Sequence, residues 1–500
     1  MDSVRGDPSE ERTDGPLSTV LITIDSLRSD TIAADGRPKH APTLAALAER
    51  GTVFENAFAH GNWTPFSFPS VFASRPVFAE LGDIGLPGSP TLAETLSAAG
   101  IDTAGINAAN GFLTDFWGYG RGFDDFLSYV PDAGSGAYSK YVSAHPTVQG
   151  WIQLASVAAR GTIDRVCGTD GNGERRVEAG AADVEARARA FIEAREADDP
   201  PFFLWLHYMD AHTPYIPAPR HVKHVTGDRI GLLRTLRAHA HTGLGLEVDA
   251  ATRRRLRGLY RAAVHAVDTS VRGVLDALSD RGLRDRTCVI VAGDHGEEFE
   301  EHGHLAHYPK LYEELIHVPL IVDHPHGEGG RIPEAVGLKA IPPTVCETIG
   351  VAPPEAFEGE SLLDTVRGEA SPDAEPVLSV AVRGETVTQQ PIPRRLDEGE
   401  LLVSARTREW TYIRHVDSGT HELYDRASDP AEQRNVIEAF ADSEIVSRLA
   451  EATTEHAARL GGEPRAAPRT GSSAGSNPGS NSTSEPPSGV AARLEALGYR

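Results

Sequence analysis

The sequence predicts an α/β fold: a large, mainly parallel sheet with helices on both faces, followed by a small C-terminal antiparallel sheet with a helix. Three observations carry this. Apolar runs of strand length at 20–24, 202–206 and 288–292 do not alternate with polar residues, and helical patterns separate them. Parallel strands covered on both faces read this way. Two of the runs end at a carboxylate, Asp25 directly after the first and Asp294 just past the last. Near residue 370 the pattern changes to short alternating segments separated by turn residues, the mark of antiparallel pairing.

Along the chain, a polar leader over 1–17 precedes the β-branched run at 20–24. PTLAALAERG (42–51) reads as a short helix ended by glycine, and TLAETLSAAG (91–100) as another that leads into a strand at 103–106. The Gly-rich stretch 131–180 offers no regular element. A helical pattern over 184–197 leads into the strand at 202–206, a long helix over 256–278 precedes that at 288–292, and 319–322 reads as one more strand. Alternation at 401–405, 410–414 and 422–424 gives the small sheet, and 443–460 its helix. Gly, Ser, Pro and Asn dominate 461–489, a composition that cannot bury enough apolar surface to order itself, and 490–500 reads as a short helical tail. The expected organisation is therefore a leader (1–17), a main α/β domain (18–370), a C-terminal α+β subdomain (371–460), a linker (461–489) and a tail (490–500).

With 500 residues, 40% of them hydrophobic, the chain has material for a large core. No apolar stretch approaches 18 residues, and the first twenty are polar, so neither a membrane span nor a secretory signal is read. The net charge of −24, from 72 acidic against 48 basic residues, argues against nucleic acid as a partner. Only five of the basic residues are lysine. An acidic, lysine-poor surface suits a halophile's cytoplasm, where salt screens self-repulsion. Cys167, Cys288 and Cys346 are too scattered for a disulfide framework or a zinc ribbon and read as buried small hydrophobes.

Ligands of open α/β sheets bind beyond the carboxyl ends of the strands. Asp25 and the pair Asp294-His295 follow strand-like runs, and together make a divalent-metal set. Read singly, each is as well explained as a turn or helix cap.

The wider context decides between them. VLITIDSLRSD, NWTPFSFPSVFASRP, GRGFDDF, MDAHTPY, VIVAGDHGEEFEEHGHLAHYPKLYEELIHVPLIV and ELYDRASDPAEQRNV, in this order, resemble the sulfatase branch of the alkaline phosphatase superfamily from about residue 19 to 460. The resemblance implies a metal-dependent hydrolase of sulfate or phosphate esters. It implies one divalent ion, Ca, Mg or Mn with Zn possible in principle, held by Asp25, Thr64, Asp294 and His295. Sulfatases place two aspartates after the first strand; here the second is Ser26. Their nucleophile lies ten residues before a TG pair, and counting back from Ser74 reaches Thr64. No cysteine lies nearby to become formylglycine, so Thr64 is similar to the attacking threonine of the phosphodiesterase and phosphotransferase branches. Ser67 and Ser70 compete for that role, and Phe68 stands where the motif has arginine. Asp210 is followed by Pro214 at the place of a second-site histidine, so a single metal is expected. His212 and His307 match catalytic positions, with His302 and His304 as neighbours of the second. Ser67, His304 and Lys310 are expected to bind substrate, Lys310 having a surface role as its alternative. Arg28 and the cluster 253–257 read as structural or solvated cations.

The expected substrate is a sulfated or phosphorylated small molecule or glycan. Two rival readings remain at this stage: a transferase of phospho-alcohol head groups onto a glycan or lipid, and a degenerate, non-catalytic binding member.

Overall fold

The computed structural model describes residues 15–32, 38–79, 82–86, 88–130, 180–228, 230, 235, 239, 248–384 and 392–461. The irregular stretch at 131–179, Cys167, most of the expected leader, and the linker and tail expected after 461 lie outside these residues.

Eight strands form the large sheet: β1 (Ser18–Ile24), β2 (Thr52–Phe58), β3 (Asp102–Asn107), β4 (Asp125–Ser128), β5 (Phe202–Tyr208), β6 (Thr287–Gly293), β9 (Leu320–Asp323) and β10 (Gly330–Gly337). A two-residue hairpin, β7 (Glu298–Phe299) with β8 (Leu305–Ala306), stands beside it. The sheet order is β10-β2-β9-β6-β1-β5-β3-β4. All neighbours are parallel except β9, which runs antiparallel to both β2 and β6.

Every residue of β1, β5 and β6 is buried, as their unbroken apolar runs require. The two-residue period splits their side chains between two cores. Leu21, Phe203, Trp205, Cys288 and Ile290 join one, with the helices Thr64–Ala73, Leu92–Ala98 and Ile341–Ile349. Val20, Ile22, Leu204, Leu206, Val289 and Val291 join the other, beneath Pro42–Arg50, Ala181–Glu193 and the 31-residue helix Ala250–Asp280. Burying an aliphatic side chain contributes roughly 1.5–3 kcal/mol, so these central strands anchor the fold. Cys288 and Cys346 are buried and unpaired. Among the described residues no helix is long and apolar enough to cross a membrane.

The smaller sheet is antiparallel, in the order β11 (Val377–Arg383), β12 (Glu400–Arg406), β13 (Trp410–His415) and β14 (His421–Asp425), with the helix Glu444–Arg459 against β12 and β13. Its attachment to the main body is ionic as well as apolar. Arg406, fully buried, donates to Glu313 Oε2 and Glu432 Oε1, each at 2.9 Å, and also to the Leu311 carbonyl. Arg426 donates to Glu313 Oε1 at 2.9 Å and to Asn56 Oδ1 of β2 at 2.7 Å. Glu432 Oε2 accepts the Glu313 backbone N–H at 2.7 Å.

Arg406→Ala strands Glu432 in a dry site. Losing one partner of a buried pair costs about 3–5 kcal/mol. A urea titration should show the midpoint falling with the slope unchanged; a loss under about 1 kcal/mol would contradict this role.

Candidate active site

Four adjacent central strands, β6, β1, β5 and β3, deliver the site from their carboxyl ends. Asp25 follows β1, Asp294 and His295 follow β6, His212 lies four residues past β5, and Asn110 three past β3. Asp25, Asp294 and His295 are all buried, with ligating atoms within 4.8 Å of one another.

Ser26, which replaces a carboxylate of the expected pattern, ties this group together. Its hydroxyl donates to Asp25 Oδ1 at 2.9 Å and its backbone N–H to Asp294 Oδ1 at 3.1 Å. To do both it adopts φ +58°, a left-handed conformation unfavourable for a residue with a Cβ. Tyr260 braces that turn by donating to the Ser26 carbonyl at 2.9 Å and accepting the Arg28 N–H at 3.0 Å. Arg28 itself pairs with Asp30 and Glu301 and donates to the Glu297 carbonyl, a structural role.

The electrostatics favour a bound cation. Burial, then the neighbouring Asp25 charge, pushes the Asp294 carboxyl above the usual carboxylate range. Burial opposes ionisation of Asp25 too, but the His212, His207 and His295 rings outweigh it and hold that carboxyl well below the usual range. Burial likewise lowers His295, and the Asp294 and Asp25 charges overcome it to raise the imidazole. Two carboxylates confined in a dry site are relieved by a divalent ion. His295 Nδ1 donates to the Gly296 carbonyl at 2.9 Å, leaving Nε2 as the ligating atom. The donor set fits a divalent metal.

Thr64 opens the helix Thr64–Ala73, with Trp63 as N-cap residue and Pro65 in the first turn. Its Oγ1 lies 2.9 Å from Asp294 Oδ2, 3.1 Å from Asp25 Oδ2 and 3.5 Å from His295 Nε2. Trp63 Nε1 donates to the His307 carbonyl at 2.5 Å and Asn62 Nδ2 to the Tyr308 carbonyl at 2.9 Å, fastening this helix start to the histidine-bearing loop.

A small pocket opens over Thr64. His295, His212, His307, Asn110 and Gly111 line one part of it, and Trp63, Pro65, Phe112, Met209 and Ile392 an apolar part. His212 is held below the ordinary histidine range by burial, with the His307 ring contributing. His307 Nδ1 lies 2.9 Å from Glu297 Oε2, and Tyr215 donates its hydroxyl to Glu297 Oε1. Burial opposes the Glu297 charge, but His307 and His212 outweigh it and keep the carboxyl below its ordinary range.

Six expected residues, Asp25, Thr64, His212, Asp294, His295 and His307, thus converge. Ser67, His304 and Lys310 are not among the residues lining the pocket. Ser67 is wholly buried in the helix, its hydroxyl without a hydrogen-bond partner. His304 Nδ1 lies 3.3 Å from the His302 carbonyl, and Lys310 donates to that same carbonyl at 2.6 Å and pairs with Glu298. His302 lies 2.7 Å from Glu314 and 3.0 Å from the Glu432 carbonyl, a tie to the C-terminal segment. Phe68 packs among Phe72, Tyr119, Trp205 and His207. Asp210 Oδ1 accepts the Ala181 N–H at 3.3 Å. Arg253 and Arg257 pair with Glu300 and Glu301.

Sequence reasoning passed over Asn110, Glu297 and Tyr215. Asn110 Nδ2 donates to Asp25 Oδ2 at 2.9 Å and to Thr64 Oγ1 at 3.2 Å. Its place just past a strand end was the available signal.

The Sulfatase family model matches residues 18–351, and the chain belongs to that family, within the alkaline phosphatase superfamily. Arylsulfatase K of Xenopus laevis is 29% identical over 186 residues, 37% of this chain and 34% of that protein, so the chain spans about a third of that relative's length. An ulvan-active sulfatase of Formosa agariphila is 21% identical over 479 residues, 91% of this chain and 84% of that one. The crystal structure of a phosphonate monoester hydrolase of Agrobacterium radiobacter superposes with a TM-score of 0.62 at 19% identity, covering 89% of this chain and 95% of that one; at this identity the likeness is one of fold.

A metal that binds only the folded chain raises stability by mass action, about 2.7 kcal/mol at a hundredfold excess over Kd. Added Mn²⁺ should therefore raise the unfolding midpoint of EDTA-treated protein and leave Asp25→Asn unmoved. Equal shifts in both proteins would place the ion elsewhere.

Proposed function

We propose that the protein hydrolyses sulfate or phosphate esters, with Thr64 as the nucleophile. The observation that carries this reading is the position of Thr64 Oγ1, within 3.5 Å of all three metal-type ligands and on the floor of the pocket. A decayed site would leave those ligands dispersed, whereas here they converge.

Asp25, Asp294 and His295, with the Thr64 oxygen, would hold one divalent ion. Two carboxylates favour Mg, Ca or Mn, and the imidazole accommodates Zn. When bound, the ion lowers the hydroxyl's pKa and neutralises charge on the transferred group. The remaining chemistry belongs to the chain. Thr64 Oγ1 finds a proton acceptor in Asp294 Oδ2 at 2.9 Å. The positive end of its helix stabilises the oxygen as it becomes an anion. Attack on sulfur or phosphorus forms the threonine ester and breaks the bond to the leaving oxygen. Water then attacks the same sulfur or phosphorus, releasing sulfate or phosphate and restoring Thr64.

The leaving oxygen requires a proton, and His307 is built to give it. Glu297 engages Nδ1, so Nε2 is the atom that exchanges a proton with the pocket. His212, kept neutral by burial, serves as a hydrogen-bonding neighbour. The apolar wall of Trp63, Pro65, Phe112, Met209 and Ile392 favours an alcohol with an apolar face. No lysine or arginine lines the pocket among the described residues, which favours a small ester over a polyanionic chain.

Turnover of paired aryl sulfate, aryl phosphate and aryl phosphonate monoesters in high salt tests the reading. Thr64→Ala should lower kcat by at least about 10³-fold, and Ser67→Ala should leave it within a few-fold. The reverse pattern would move the nucleophile to Ser67. Product transfer to an added alcohol in excess of hydrolysis would favour a transferase.

Glu297→Gln should cost about 10–100-fold with esters of poor leaving groups and far less with nitrophenyl esters, since general acid catalysis is worth roughly 10²–10⁴ only where the leaving group needs a proton. A uniform loss across leaving groups would remove Glu297 and His307 from proton transfer.

A further inference from the structure

His207, the penultimate residue of β5, is fully buried and is not among the residues lining the pocket. Its surroundings are aromatic: Phe68 meets the ring edge-on at 5.1 Å and Trp205 lies at 6.0 Å. A polar ring in such a place costs free energy unless both nitrogens are used. Nδ1 lies 3.0 Å from Thr23 Oγ1 on β1. Nε2 has no hydrogen-bond partner, but it lies 3.7 Å from Asp25 Oδ2.

The hydrogen-bond inventory fixes which nitrogen carries the proton. Trp205 Nε1 is a donor only, and it donates to Thr23 Oγ1 at 2.9 Å. Thr23 therefore accepts from Trp205 and has one proton of its own to give. His207 Nδ1 at 3.0 Å is a nearer acceptor than the Leu206 carbonyl at 3.3 Å. The opposite assignment would leave a bare Nε2 lone pair facing a carboxylate. Thr23 thus donates to Nδ1, and His207 carries a proton on Nε2, on the side of Asp25.

We propose that His207 is a positioning residue for the metal site: the Trp205–Thr23 pair holds it as the Nε2–H tautomer, and that N–H orients the Asp25 carboxylate that binds the cation. The inference rests on Asp25, Asp294 and His295 being the metal ligands. Oδ2, the oxygen concerned, also accepts Asn110 Nδ2 at 2.9 Å and lies 3.1 Å from Thr64 Oγ1. His207 and Asn110 together leave that carboxylate little freedom to turn. Groups that orient a metal ligand typically affect affinity 10–100-fold when removed.

The test is calorimetric titration of Mn²⁺ into the EDTA-treated full chain, with the unfolding midpoint of each metal-free variant measured alongside. His207→Phe should weaken Mn²⁺ binding about 10–100-fold. Thr23→Val, which removes the tautomer-fixing hydroxyl at nearly constant shape, should weaken it about tenfold. His207→Gln, whose amide N–H reaches towards Asp25, should stay within a few-fold of wild type. Loss of affinity only in proportion to a lowered metal-free midpoint, or no rescue by glutamine, marks a purely structural residue and overturns the proposal. So does Mn²⁺ affinity unchanged in His207→Phe, or in Thr23→Val should the phenylalanine variant not fold. Cobalt substitution separates orienting from ligating: altered Co²⁺ visible bands in His207→Gln would make His207 a ligand and overturn the positioning role. A wild-type chain that takes up no stoichiometric Mn²⁺ overturns the metal reading together with this inference.

Discussion

Two carboxylates, Asp25 and Asp294, are buried side by side, and much of the rim exists to make that tolerable. Burial opposes the charge on each, and the Asp25 charge adds to that opposition at Asp294. The sheet supplies the geometry, because β1 and β6 are parallel neighbours whose ends fall at the same level. Ser26 supplies donors to both carboxylates, at the cost of a left-handed backbone held by Tyr260. Histidines at 207, 212 and 295 supply polarisable nitrogens around them. The arrangement fits a divalent cation, whose charge would offset both carboxylates.

The parts of the fold that could be read from sequence share a physical cause. β1, β5 and β6 are central strands buried on both faces, so each had to be an unbroken apolar run. The metal-type ligands were legible for a related reason, since a carboxylate directly after such a run lies at the rim. β2 and β10 were passed over because THR-VAL-PHE-GLU-ASN at 52–56 and the Gly- and Pro-containing segment at 330–337 sit at the margin of the sheet, where burial is partial and alternation weak. β9 read as a strand, but its antiparallel direction depends on its spatial neighbours, which local pattern does not encode.

Among the site residues, histidine number was the hardest quantity to interpret. The segment from 302 to 307 carries three, and spacing alone could not divide them. Packing does: His307 turns to Glu297 and the pocket, while His302 stacks on Tyr312 and engages Glu314. Lys310 drew notice as a rare lysine, yet its partner, Glu298, stands only twelve residues away and beside the same loop. His207 gave no signal at all, because a histidine within an apolar strand looks like an ordinary core residue until its neighbours are known.

The Arg406 network has a consequence for the order in which the chain comes together. The family match ends at residue 351, yet the segment carrying His302 and His307 is fastened by Glu432, Arg406 and Arg426, which the ribosome delivers later. The N-terminal part therefore emerges with its histidine loop still unfastened. Those ties can form only after the last strands have been made, so this loop is among the last parts of the chain to be fastened.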